Sequence, residues 1–198
     1  MKKNQIFILI LVGFWAVSCN LDNRIQNSKE LAEEMRGVQI KRVTSTQTIT
    51  IVDDWGKRIV KQAQRELLQA LRNNPTATTS ICALQQLPKI DSLAQFYGVQ
   101  ISLMGAKDIQ NPRLSAKEKE ILDAYLYNAE NKLPQISNIQ KLGDSVLIYN
   151  APVVAEPLIC KTCFANDPNQ LAVWRVRFVK NTVIKKVDAK SLLKMKKK

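Results

Sequence analysis

The chain has 198 residues, of which 45% are apolar and 24% are charged; this is the composition of one globular domain with appendages and excludes a disordered protein. It contains no histidine, so catalysis by a Ser-His or Cys-His pair is excluded. The formal net charge is +13, but residues 180–198 hold eight lysines against one aspartate, so much of the excess lies at the C-terminal end. No aromatic residues are interleaved with these lysines, and we expect no nucleic-acid partner.

Residues 1–18 are a predicted signal peptide. Lys2 and Lys3 form a basic start, and residues 6–17 are an apolar stretch of 12 residues. A transmembrane helix needs roughly 20 such residues, so this length is typical of the hydrophobic region of a signal. The stretch ends in Ala-Val-Ser before Cys19, which resembles a bacterial lipoprotein signal, where that cysteine becomes lipidated and N-terminal. The alternative is an ordinary secretory signal in which Cys19 is incidental.

Either kind of signal would export the protein. We expect a lipoprotein of the cell membrane or outer membrane that faces the periplasm, where disulfide bonds are permitted. Its partners would be the membrane, through the lipid on Cys19, and a protein of a sensing or respiratory system. Residues 19–27 are then a polar tether, 28–190 a single domain and 191–198 a basic tail.

The domain is predicted to begin with helices. Ser28 caps a short helix that runs to Met35. A long amphipathic helix follows at 45–73, because Thr44 and Gln47 form a capping box and apolar residues recur at spacings of three and four. Those apolar residues are Val52, Trp55, Ile59, Ala63, Leu67 and Leu71.

A second helix is predicted from residues 78–80 to Tyr97. It carries Cys82, Pro88 should bend it, and Gly98 is its C-terminal signal.

The middle of the domain is predicted to change from strand to helix. Residues 99–103 alternate between apolar and polar and are typical of a strand, and 105–113 form a loop. Ser115 and Glu118 make a second capping box, which begins a helix that extends to about Asn131.

Strands are predicted to dominate the last third of the chain. Residues 145–155 form one strand and deliver two cysteines, spaced C-x-x-C, into a turn. Residues 174–178 form a half-buried strand, which turns back into another at 183–187. Helices early and strands late predict an α+β fold with an antiparallel sheet.

The candidate acid and aromatic residues do not form a catalytic group. Glu118 and Glu120 are predicted to be exposed, Tyr125 to lie in the core and Tyr127 at its rim. The protein is therefore predicted not to be an enzyme. The residues predicted to be buried are Trp55, Leu67, Leu71, Trp174 and Phe178.

Besides Cys19, the chain has three cysteines, Cys82, Cys160 and Cys163. A structural zinc site would need a fourth nitrogen or sulfur ligand. A thioredoxin-type pair would need a helix that begins at its first thiol, and Asn-Asp-Pro at 166–168 argues against one. The remaining alternative is a Cys160–Cys163 disulfide that stabilises the turn, with Cys82 a small buried residue.

Three stretches in a fixed order carry a resemblance to a known family. They are Thr-Ser-Ile-Cys-Ala at 79–83, the strand at 99–103 followed by Asn-Pro at 111–112, and Pro-Val-Val-Ala-Glu-Pro-Leu-Ile-Cys-Lys-Thr-Cys at 152–163. Over residues 45–187 the chain resembles the bacterial haem-c-binding, PAS-like sensor domain.

The resemblance implies an α+β fold in which a long N-terminal helix precedes a PAS-like antiparallel sheet packed with helices. In the family, a cysteine that matches Cys82 is an axial ligand of the haem iron, and two thiols that match Cys160 and Cys163 hold the haem covalently. The next residue, a histidine in the family and the other axial ligand, is Phe164 here. Met104 is the nearest neutral replacement, although a methionine at a strand end is typical of a core.

A phenyl ring has no lone pair for iron, so we expect a domain that has kept the fold and carries no cofactor. The chain is interpreted as a sensor or accessory subunit that uses a pocket between the Cys82 helix and the sheet. The alternatives are a thiol–disulfide redox protein that uses Cys160 and Cys163, or a member of the family that still binds haem c.

The lipid anchor can be tested by the Cys19→Ser variant. We expect this variant to move from the membrane to the soluble fraction, because a basic tail alone binds a membrane weakly without acyl chains. Cell fractionation and immunoblotting measure the change, with the wild-type protein as the control. A variant that is exported and still fractionates with membranes would contradict the anchor.

Overall fold

One long helix and a four-stranded sheet form the frame of the domain, and the fold is α+β as predicted. The computed structural model describes residues 43–154 and 156–187, all within one compact unit. The predicted signal, Cys19, the tether, the helix at 28–35 and the tail at 191–198 lie outside the described residues. Within the described residues, no helix is both long and apolar enough to cross a bilayer.

The bounds of the elements are as follows. The helices are α1 (Ser45–Asn73), α2 (Thr78–Cys82), α3 (Pro88–Tyr97), α4 (Ala116–Glu130), α5 (Pro157–Cys163) and α6 (Lys180–Lys186), and a 3-10 helix covers Ala106–Gln110. The strands are β1 (Val99–Met104), β2 (Asn138–Leu142), β3 (Val146–Pro152) and β4 (Val173–Val179). All pairs are antiparallel, in the order β1-β4-β3-β2.

Helix α1 has the bounds that the sequence predicts. The hydroxyl of Thr44 accepts a hydrogen bond from the Gln47 amide at 3.2 Å, and the Thr44 amide donates to the Gln47 side chain at 3.0 Å. These bonds satisfy backbone groups that the first turn of a helix leaves unpaired. The capping box is therefore confirmed.

The main core lies between α1 and one side of the sheet, which we call the first face. Alternation along β3 and β4 places Tyr149, Trp174 and Phe178 on this face, where each is almost fully buried. Gly56 allows α1 to come close to the sheet, because a Cβ built on it would lie only 2.4 Å from Cγ of Tyr149. The glycine that weakens the helix in isolation is thus required by its packing.

The opposite side of the sheet, the second face, packs against α4. Met104 and Val173 contact Leu122 and Tyr125 there in a smaller apolar cluster. The predicted capping box of α4 is confirmed, since the Ser115 hydroxyl accepts from the Glu118 amide at 3.4 Å and the Ser115 amide donates to the Glu118 carboxylate at 3.0 Å.

The single helix predicted up to Tyr97 is wrong, because the chain forms α2 and α3 with a break between them. Proline has no amide hydrogen and clashes with the preceding turn, so Pro88 begins α3 and does not bend a continuous helix. Leu84 and Gln86 adopt left-handed backbone conformations in the break, with φ of 58° and 60°. Gly98 ends α3 in the left-handed conformation, as predicted.

The strand predicted at 183–187 is also wrong, because residues 183–186 belong to α6 and Val187 follows its end. Strand β4 lies inside the sheet, between β1 and β3, so it has no free edge for a strand that turns back from it. Val183 and Val187 are four residues apart and both buried, which suits a helix that packs against α1. Strand β2, which the sequence did not predict, lies beside β3 and forms one edge of the sheet.

Burial agrees with the prediction for most of the named side chains. Leu67, Leu71, Trp174, Phe178 and Tyr125 are buried, and Tyr127 and Glu120 are exposed. The prediction was wrong for two residues. Trp55 is only half-buried, edge-on to Tyr97 with ring centroids 5.2 Å apart, and Glu118 is buried.

The Leu67→Ala variant tests the packing of α1. Leu67 is fully buried, so the variant should lower the free energy of unfolding by about 2–5 kcal/mol through lost burial and a residual cavity. Urea unfolding followed by circular dichroism measures it. The exposed neighbour Gln69→Ala is the matched control, with an expected change within about 0.5 kcal/mol. A Leu67→Ala change as small as the control's would contradict this packing.

Candidate functional site: the cysteines and the cleft beside Phe164

The C-x-x-C motif lies on a helix, and the predicted turn is wrong. Pro157 supplies the first position of α5, where a missing amide hydrogen costs nothing. Ile159 is fully buried in the main core and fixes the helix there. Cys160 and Cys163 are three residues apart on this helix, so their side chains are neighbours on one of its sides.

Cys163 forms a disulfide with Cys82, with a Cα–Cα distance of 5.4 Å. The bond joins the last residue of α2 to the last residue of α5 across 81 residues of sequence. Both helices also contact α1, so the bridge connects two elements that the core already holds. The alternative of a Cys160–Cys163 bridge is therefore wrong for this structure.

Cys160 is a free, half-buried thiol. Its Sγ lies 3.7 Å from the carbonyl oxygen of Val153, to which it can donate a weak hydrogen bond. Burial raises the pKa of the Cys160 thiol, because it disfavours the charged form. The group is accordingly a protonated thiol at neutral pH, unlike the low-pKa thiolate of a dedicated redox pair.

Phe164 follows Cys163 and packs beside it. Its amide donates to the Cys160 carbonyl at 3.0 Å, which closes the end of α5. Its ring lies against Gly105, where a Cβ would come within 2.4 Å of the ring carbon Cδ1. As predicted, the phenyl ring fills apolar space beside the cysteines.

A cleft of about 300 Å³ opens at Cys163 and Phe164. One wall is the start of the 3-10 helix at 105–108, and the other is the end of α5 with the loop to Asp167. This volume is at the lower end for pockets that hold small molecules. The cleft therefore has room for a small ligand. It lies at Cys163 and the 3-10 helix, apart from the pocket that the sequence predicts between the Cys82 helix and the sheet.

The acidic residues of the cleft are occupied by the backbone. The carboxylate of Asp108 accepts from the Gly105 amide at 2.9 Å. Asp167 is buried and accepts from the amides of Asn169 and Leu171 at 3.0 and 3.1 Å. These carboxylates order the walls of the cleft and are poorly placed to act as a general base.

This arrangement of residues does not fit a covalently attached haem. Attachment would need the thiols of both Cys160 and Cys163, and axial ligation would need the Cys82 thiolate, yet Cys82 and Cys163 share one bond. Phe164 offers no lone pair. Met104 is buried with the α4 cluster, as predicted for a core residue, whereas the cysteines pack with the main core.

The described part of the chain was also compared with the requirements of a metal site made of protein side chains. No cluster of three or more histidine, cysteine, aspartate or glutamate residues suited to a metal ion occurs there.

Two side-chain pairings could not be found by sequence reasoning. Three cysteines allow three pairings, and only the fold brings Cys82 to Cys163. The ion pair between Glu118 and Arg175 was also missed. Its only signal was an arginine in alternation with the buried residues of β4, which is equally typical of a solvated face.

Comparison with known proteins supplies no relative for this chain. It matches no protein-family model, and no curated protein or solved structure shows detectable similarity to it.

The Cys82→Ala variant tests the stabilising role of the disulfide. A bond that closes a loop of this length should contribute about 2–5 kcal/mol, chiefly by restricting the unfolded chain. Denaturant unfolding with and without reductant measures the loss. Cys160→Ser, which leaves the bridge intact, is the matched control and should retain the response to reductant. Equal stability of the wild-type protein with and without reductant would contradict the bridge.

Proposed function

We propose that this chain is an exported, lipid-anchored protein whose single domain is a haem-free, PAS-like binding or sensing module. The observation that carries the proposal is the Cys82–Cys163 disulfide. It bears on the compartment, on the cofactor and on the position of the ligand site.

The compartment is inferred from the chemistry of the bond. Disulfides persist in oxidising compartments and are rare where thioredoxin and glutathione keep thiols reduced. A bridge between two helices distant in sequence is consistent with the predicted lipoprotein signal at Cys19. We infer that the protein faces the periplasm from the cell membrane or the outer membrane.

The absence of a resident haem is inferred from the same bond together with Phe164. Two of the three sulfurs are unavailable while the bridge is closed, and the position that a histidine would take holds a ring packed on Gly105. The family resemblance then applies to the fold and not to the cofactor. Such a protein would act through binding, with a partner in a sensing or respiratory system.

The cleft at Phe164 is the binding site that we assign to this module. Its volume of about 300 Å³ suits a small molecule, and Cys163 and Phe164 supply apolar wall. Lys107 lines it as well and is exposed, so an anionic group at the mouth of the cleft would be favoured. None of the side chains that line the cleft is placed as a general base or nucleophile, so these walls give no support for catalysis.

The visible spectrum of the purified protein tests the absence of haem. Made with cytochrome c maturation factors present, the wild-type protein should be colourless. In the double variant Phe164→His, Cys82→Ala, the Cys160 and Cys163 thiols are free and an imidazole follows them, so we expect covalent haem that is lost again on Cys160→Ala.

The matched control for this experiment is Phe164→Tyr, Cys82→Ala, which frees Cys163 without supplying an imidazole. It should remain colourless. A wild-type protein that is red, with haem that resists acid–acetone extraction, would overturn the proposal.

A second candidate function is thiol–disulfide exchange, and the position of Cys160 favours it. The Cys160 thiolate could attack Sγ of Cys163, which would form a Cys160–Cys163 bond and release Cys82 as a thiolate. Cys82 would take up the proton that Cys160 loses, so the step needs no external oxidant. The raised pKa of Cys160 opposes the reaction at neutral pH.

Alkylation of free thiols followed by peptide mass spectrometry separates the two candidates. A binding module should be labelled at Cys160 alone, and its bridge should have a reduction potential below about −300 mV, as for a structural disulfide. Labelling of Cys82 in a substantial fraction of the molecules, with a markedly higher potential, would favour the redox function instead.

A further inference from the structure

A row of polar side chains crosses all four strands on the second face of the sheet. In the register of the strands, Asn138 lies opposite Asn150, Asn150 opposite Arg175, and Arg175 opposite Ser102. Residues opposite each other in antiparallel strands project from the same face. Since α4 packs on this face, part of a polar row lies beneath an apolar helix.

The charge at this row is an ion pair between α4 and the sheet. Glu118 is only 8% exposed, and its Oε1 accepts from Nε of Arg175 at 2.8 Å and also from Nη2. Its Oε2 accepts from the Ser115 amide at 3.0 Å and hydroxyl at 2.7 Å. Burial opposes ionisation of Glu118, but these hydrogen bonds outweigh it and hold the pKa below its ordinary value.

A cavity of about 10 Å³ lies beside this pair. Four polar side chains line it, those of Glu118, Tyr125, Asn150 and Arg175, together with four apolar ones. The Tyr125 hydroxyl already donates to the carbonyl of Ile136 at 2.7 Å, and burial raises its pKa to about 12, so it stays protonated. Each oxygen of the Glu118 carboxylate already accepts two hydrogen bonds, whereas the hydroxyl oxygen of Tyr125 can still accept one and is the acceptor available on this wall.

The buried amide of Asn150 has an unmet hydrogen-bonding group. Its side chain is 6% exposed, and among the described residues its Nδ2 has no hydrogen-bond partner. A buried donor without a partner is costly, and native structures seldom retain one. If the oxygen and nitrogen of the amide were exchanged, an oxygen would stand in the same buried place and would need a donor.

We propose that this cavity is a binding site for one ordered water molecule, which accepts a hydrogen bond from Nδ2 of Asn150 and donates one to the hydroxyl oxygen of Tyr125. A volume of about 10 Å³ is about the minimum for one water and leaves no room for a larger ligand. A water can donate or accept, so it would satisfy either orientation of the amide. It would also connect β3 to Tyr125 of α4 and fix the position of α4 on the sheet, independently of any ligand in the cleft at Phe164.

The competing arrangement is a direct bond between two asparagines. Asn138 lies opposite Asn150, and its Oδ1 is also buried without a partner among the described residues. A rotation of both side chains would pair the Nδ2 of Asn150 with this oxygen and would leave the water unnecessary. The test must therefore distinguish a water contact from a contact with Asn138.

Water-selective NOE and ROE spectra of the full-length, ¹⁵N-labelled protein make this distinction. A bound water should give cross-peaks to the side-chain amide protons of Asn150, with the sign expected for a long residence time, and they should persist in Asn138→Ala. The exposed amide of Asn181 in α6 is the internal control and should show only fast exchange with bulk water.

A crystal structure supplies a second measurement that requires no variant. The water should appear as a density peak about 2.7–3.2 Å from Nδ2 of Asn150. Absence of the cross-peaks from the wild-type spectrum, or a direct Asn150–Asn138 bond in the crystal, would overturn the proposal.

Discussion

The packing of α1 across the first face of the sheet is the interaction on which the other elements depend. Helices α2, α3, α5 and α6 all contact α1, and three strands do so as well. The close approach at Gly56 and Tyr149 fixes where the helix crosses the sheet, because any side chain at Gly56 would collide with the ring. The residues that line the cleft are therefore placed by a core whose largest buried members, Trp174 and Phe178, lie beneath α1.

The disulfide adds a constraint that packing alone does not supply. Helices α2 and α5 are short, and a single helix of such length is marginal in isolation. The bond between Cys82 and Cys163 holds the C-terminal ends of these two helices together. It thereby fixes covalently the position of the cleft wall that contains Cys163. While the bond is closed, Cys82 and Cys163 can neither ligate iron nor attack a substrate as thiolates.

The second face of the sheet is organised by polar contacts as well as apolar ones. The Glu118–Arg175 pair fixes α4 on β4, and breaking a buried pair of this kind leaves an uncompensated charge. The same glutamate completes the capping box of α4, so one side chain sets both where the helix begins and where it lies on the sheet. This double role explains why a glutamate in the first turn of a helix is buried, where its sequence position suggested solvent.

The elements with local signals could be predicted from the amino-acid sequence. They are the two capping boxes, the long apolar stripe of α1, the left-handed end of α3 at Gly98, and the alternation of β4. Each of these depends on residues within a few positions of one another, so the physical cause can be read along the chain. The tertiary structure alone decided the outcome elsewhere. Residues 183–186 are helical because β4 has no free edge, and Glu118 is buried because β4 presents Arg175 beneath it. Cys163 pairs with Cys82 and not with Cys160 because the core brings α2 and α5 together across 81 residues, a proximity that no local pattern encodes.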